Sequence, residues 1–170
     1  MVRYATPAER WFRDTALEAR RTSGYGSTRK EIIFAASFLE TYIFEWTRSL
    51  AIDRLDEYFP PMPRFQIDPR FKRSLTNKWK QIPAELYLDR VIPICPQLKL
   101  LPLARLEKYR HNVIHTKAGR RVTMGPPKKP APIVPLSEPG LIPRGWALGV
   151  ARQLVAELHT QLGTPPPIYI

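Results

Sequence analysis

The sequence is poor in the residues from which most catalytic machinery is built. Of 170 residues, one is cysteine and three are histidine. With Cys95 alone no intramolecular disulfide can form, and a thiol in "PICPQ" reads best as a small buried hydrophobe. The eight glycines are scattered. "SGYGST" is not followed by the Gly-Lys-Ser/Thr of a phosphate-binding loop, and no Gly-x-Ser-x-Gly stretch supplies a nucleophilic serine. Long apolar runs are missing too. The longest, "IIFAASFLETYIF" (Ile32–Phe44), is interrupted by Glu40 and falls short of the roughly 20 residues needed to span a bilayer. The opening "MVRYATPAERWFRD" lacks the apolar core and cleavage site of a secretory leader. A cytoplasmic protein without a membrane partner is expected. Acids are also in short supply: 15 Asp and Glu stand against 27 Lys and Arg, a net charge of +12. An imbalance of this size points to a polyanionic partner, nucleic acid or an anionic surface.

Proline, by contrast, is abundant, and its clusters mark the boundaries. A short helix is predicted from Pro7 to Arg21, with Thr6 as its cap, before "TSGYGST" interrupts. From Thr28 to Leu55, Ile32, Ala36, Leu39, Ile43, Trp46 and Leu50 recur every three or four residues, the stripe of an amphipathic helix. "YFPPMPRF" ends it. A second helical segment is predicted over Pro69–Leu88, with Pro83 as a break point. "VIPICPQLKLLP" reads as a packed connector, followed by a third helix from Pro102 to Thr116. Residues 119–143 hold seven prolines and form a long loop. A last helix is expected from Arg144 to Leu162, and "GTPPPIYI" closes as an extended tail. With no repeat and no strand pair, the fold class is all-α, a bundle of about four main helices. The organisation expected is an N-terminal helical extension (1–28), a helical domain (29–163) and the tail (164–170).

The positive charge is concentrated. Between Lys99 and Lys129 lie nine Lys and Arg and a single acid, Glu107. This run surrounds "LEKYRHNVIH", which holds two of the three histidines. At about 100° per residue, Leu106, Val113 and Ile114 fall within roughly 80° of Leu103 on the helix. Arg110 falls only about 20° from it, so the apolar stripe contains a guanidinium. Burying that group unpaired is costly, because it cannot shed its proton. It can pair with a carboxylate, for which Glu40 is a candidate; it can snorkel; or it can face a cleft where an anion binds. Glu107, His111 and His115 share a face, and two histidines four apart can chelate a metal. Further ligands would have to come from His159 or Cys95, and no HExxH pattern exists, so no metal site and no cofactor are expected.

Arg110, four residues, then His115 resembles the R-x4-6-H signature of HEPN domains, small helical bundles that are often metal-independent ribonucleases. "RHNVIH" places polar His111 after the arginine and the apolar pair Val113-Ile114 before the histidine, as in that family. "FAASFLETYIFEWTRSLA" resembles the first long helix of bacterial members, "SLTNKWKQIPAEL" their second helical segment, and "HTKAG" the basic exit. The likeness covers about residues 29–120. Two positions depart: Phe44 stands where an asparagine is frequent, and Thr116-Lys117 follow the histidine where some toxin members carry a tyrosine.

The resemblance implies a HEPN-like bundle in which two subunits bring their motifs together into one RNA-binding cleft. Arg110 would hold a phosphate and His115 would act as general acid or base, with His111 and Asn112 in support and Glu40 orienting Arg110. Lys108, Lys117, Arg120 and Arg121 would contribute backbone electrostatics. RNA is the implied substrate, and an antitoxin or defence-system protein an implied partner. Alternatives are a non-catalytic relative that binds RNA or protein, and a basic scaffold docking through its proline-rich loop.

Overall fold

The structure, a computed structural model, describes residues 5–21, 25–60, 73–115 and 142–170, without the side chains of 25–27 and 115. Among these residues every regular element is helical: α1 (Pro7–Arg20), α2 (Tyr25–Leu50), α3 (Leu55–Tyr58), α4 (Leu75–Leu88), α5 (Leu101–His115) and α6 (Trp146–Leu162). The all-α expectation holds.

The stripe on α2 is the axis of the molecule. Ile32, Ala35, Ala36, Phe38, Leu39, Tyr42, Ile43 and Trp46 are all buried, and every other long helix packs against it. Ala8 and Phe12 of α1 join the same core as Trp79 and Leu86 of α4, Leu103 and Leu106 of α5, and Leu154 and Leu158 of α6. The N-terminal helix therefore shares its core with the rest of the bundle.

Boundaries differ where local chemistry overrides periodicity. The long helix predicted to Leu55 stops at Leu50. Ala51 leaves helical geometry at φ −144°, a single 3-10 turn follows over Ile52–Arg54, and α3 starts afresh. On the far side, α4 begins at Leu75 because the Ser74 hydroxyl accepts from the Asn77 N–H. The residues predicted helical before Arg73 lie outside the described set. Pro83 does not break α4. Its missing N–H removes one bond to the preceding turn, yet its ring is buried with Ile82 and Leu86. The connector before α5 is packed as expected, with its Gln97 main chain bonded in both directions to the Gln161 side chain of α6. The tail runs extended from Gly163, then turns so that Tyr169 lies against Phe12, the rings tilted at 53° with centroids 6.0 Å apart. Most of the proline-rich loop, residues 119–141, lies outside the described residues.

Candidate anion-binding site

Three helix N-termini are closed by glutamates from other helices. Glu31 of α2, almost fully buried, accepts from the Gly145 and Leu148 N–H groups at 3.1 Å each, at the start of α6. Glu45, also on α2, accepts from the Ala8 N–H of α1 at 3.1 Å. Glu107 of α5 accepts from the Leu75 N–H at 2.8 Å, the Thr76 N–H at 3.2 Å and the Thr76 hydroxyl at 2.6 Å. Each carboxylate meets unpaired donors and the positive end of a helix dipole. Glu107, grouped with His111 and His115 by its spacing, is thus committed to the start of α4.

One turn further along α5 comes Arg110. Its guanidinium Nη1 donates to Glu40 Oε2 at 3.1 Å, and Lys78 Nζ of α4 donates to Glu40 Oε1 at 2.5 Å. One carboxylate from α2 therefore bridges two cations from α4 and α5. The side chains of Arg110, Glu40 and Lys78 are 31%, 37% and 22% exposed, so the cluster sits at the open edge of the bundle. Burial pushes the Glu40 carboxyl up, but the Lys78 bond and charge and the Arg110 charge outweigh it and hold the group below the usual carboxylate range. Glu40 is ionised at neutral pH and the cluster carries a net charge of about +1.

Of the three fates weighed for Arg110, the carboxylate pair is the one seen, and its partner is the Glu40 anticipated from sequence. Lys78 was not anticipated. It precedes a buried tryptophan, Trp79, and a lysine flanking a core residue carries no signal of which acid 38 positions away it will meet. Lys108 and His111 are exposed and Asn112 is half-buried on α5. Lys117, Arg120 and Arg121 lie outside the described residues, as does the side chain of His115, which ends α5. Ile114, placed by periodicity on the apolar stripe, is 47% exposed, since the last turn of α5 runs beyond its buried contacts at Leu103 and Leu106. Phe44, the departure from the family pattern, packs edge-on against Phe59 with centroids 5.1 Å apart.

The remaining histidine is structural. His159 is buried near the end of α6, with Nε2 2.5 Å from the Tyr42 hydroxyl and Nδ1 2.8 Å from the Thr164 hydroxyl. Burial lowers its proton affinity, so the neutral ring is favoured. Tyr42 has its own proton affinity raised, by burial first and then by Tyr169 and Glu45, so it keeps its hydroxyl proton to donate. A groove of about 560 Å³ lies elsewhere, between α1, α6 and the tail, lined by Arg13, Arg20, Arg152, Leu17 and Ile168. None of its lining residues belongs to the Arg110 cluster.

Among the described residues no helix is long and apolar enough to cross a membrane. No protein-family model matches the chain, and no curated protein and no solved structure matches it. The class defined by the fold is that of an all-helical bundle with a basic cluster at its edge.

Proposed function

We propose that this protein is a metal-independent endoribonuclease of the HEPN type, with Arg110 on the scissile phosphate and His115 as the proton-transfer group. The observation carrying this reading is the position of Arg110. It is neither sealed in the core nor free on the surface, but held half-exposed at a three-helix seam, on the same helix as His115. A guanidinium held there offers forked donors to phosphate oxygens and stabilises the charge that builds up at phosphorus. His115 takes the proton from the 2′-hydroxyl, the 2′-oxygen bonds to phosphorus, and the bond to the 5′-oxygen breaks as that oxygen gains a proton. The products are a 2′,3′-cyclic phosphate and a 5′-hydroxyl.

In this reading two subunits assemble a composite cleft. His111 and Asn112 position the phosphate or His115, and Lys108, Lys117, Arg120 and Arg121 track the backbone without reading sequence. A toxin or phage-defence role, controlled by an antitoxin-like partner, suits such an activity. A second reading is a non-catalytic RNA-binding or protein-interaction bundle. It is favoured by the occupation of Arg110 by Glu40 and by Phe44 at a position where an amide would be expected.

An oligonucleotide of DNA with a single internal ribonucleotide separates the two. Cutting only on the 3′ side of that ribose is expected of the ribonuclease. An intact strand, retained by the protein at low salt, supports the binding module.

A further inference from the structure

Arg110, Lys78 and Glu40 together make two cations and one anion, and the anion divides its two oxygens between the cations. A phosphodiester has the same recognition chemistry as a carboxylate in this respect. It presents two non-bridging oxygens that share one negative charge, accept only, and span a comparable width. We propose that Lys78 and Arg110 form a two-cation cradle for one phosphodiester group, and that Glu40 occupies it in the free protein and is displaced when the nucleic acid binds. The inference rests on the RNA reading above and adds to it a phosphate-binding residue, Lys78, and a built-in competitor, Glu40.

The cradle is cross-linked next to each of its members. Trp79, adjacent to Lys78, is buried, and its indole N–H donates to the Leu39 carbonyl, adjacent to Glu40, at 3.1 Å. Glu107, one helical turn before Arg110, is bonded to the Leu75 and Thr76 main chain at 2.8 and 3.2 Å, one turn before Lys78. The backbones under all three side chains are thus fixed relative to one another, which is the condition for two cations to meet one anion without a large ordering cost. Glu40 is the most exposed of the three and Lys78 the least. The carboxylate can therefore swing to water, while the two cations remain lined up on the seam. Removing the carboxylate alone leaves two like charges facing each other, and an incoming phosphate relieves that repulsion.

The test measures binding apart from cleavage. A short fluorescent 2′-O-methyl oligoribonucleotide lacks the attacking hydroxyl, so it stays whole whether or not the protein is a ribonuclease. Its affinity for the full chain is followed by anisotropy across a salt series. Glu40→Gln is expected to tighten binding about threefold or more beyond Glu57→Gln, which adds the same charge outside the cluster. Lys78→Gln is expected to weaken binding roughly five- to tenfold and to flatten the salt slope by about 0.7, one phosphate contact on a single strand. Lys78→Arg, which keeps the charge, is expected to bind close to the parent and guards against a folding defect in the first lysine variant.

Binding by Glu40→Gln no tighter than by Glu57→Gln, or an unchanged affinity in Lys78→Gln, overturns the cradle. If RNA is nevertheless cut by the parent, the ribonuclease reading stands and only the cradle falls. If the affinities move as expected and RNA is never cut, the cradle stands on a binding module.

Discussion

Arg110 and His159 show how differently two polar side chains are accommodated. Arg110 is placed at the half-exposed edge of the bundle, where Glu40 pairs with it and with Lys78. Burial lowers the proton affinity of His159 inside the bundle, and Tyr42 and Thr164 satisfy the neutral ring. Glu40 and His159 therefore respond to acid in different windows. For His159 the proton affinity is lower in the folded than in the unfolded chain. Its stabilising contribution is complete above about pH 6.5, the unfolded value, and is lost as the pH falls towards the folded one. Glu40, also depressed, contributes above the ordinary carboxylate range and loses its contribution only in stronger acid. Melting curves at pH 7.5 and 5.5 are expected to show a fall in midpoint for the parent and a smaller fall for His159→Gln. Equal falls in both would mean that His159 titrates as it does in the unfolded chain. Tyr42→Phe removes the hydroxyl from Nε2 and is expected to cost about 1–2 kcal/mol of stability at neutral pH, measured by denaturant unfolding. Nothing in the sequence marked Tyr42 as the partner of His159, since 117 positions separate them.

At the scale of elements, the helices were legible and their ends were less so. The stripe from Ile32 to Trp46 announced α2 because three- and four-residue spacing is a physical requirement of burying one face. Ser74 and Thr6 behave as the caps their residue types favour. The caps contributed by Glu31, Glu45 and Glu107 were not legible, because each closes a helix remote in sequence. Glu31 is the most deeply buried of these, 1% exposed, with two main-chain donors. Glu31→Ala is expected to destabilise the bundle by about 1–3 kcal/mol, read from the denaturation midpoint, because it leaves two partly buried donors without their acceptor. The end of α4 offers the opposite case. Arg90 adopts φ +61° as the chain leaves the helix, where the Val91 and Ile92 N–H groups return to the Leu86 carbonyl. A side chain in this conformation is strained, and glycine relieves it. Arg90→Gly is expected to raise stability by about 0.5–1 kcal/mol; a loss of stability would place the value of Arg90 in its side chain instead.

For the molecule as a whole, charge and core are separate designs. Among the described residues, Glu31, Glu45 and Glu107 close helix N-termini and other acids sit in pairs such as Arg73–Glu85 and Arg54–Asp89. The sequence nevertheless carries a net charge of +12. A basic bundle of this kind is expected to bind single-stranded RNA with an affinity that falls steeply with salt. The composition pointed to a polyanionic partner, nucleic acid or an anionic surface. The pairing of Arg110 with Glu40 was legible as one of three options, because a buried-side guanidinium demands an anion. The joining of Lys78 to the same carboxylate was not, because it depends on how α4 crosses α2.

The proposed ribonuclease stands most directly on one measurement: labelled RNA incubated with purified protein in EDTA, beside the His115→Ala variant. Cleavage by the parent alone, leaving 2′,3′-cyclic phosphate ends, is the expected result. RNA left intact by a parent preparation shown to be dimeric would contradict it, and would make Arg110 a structural ion-pair partner in a binding or scaffold protein.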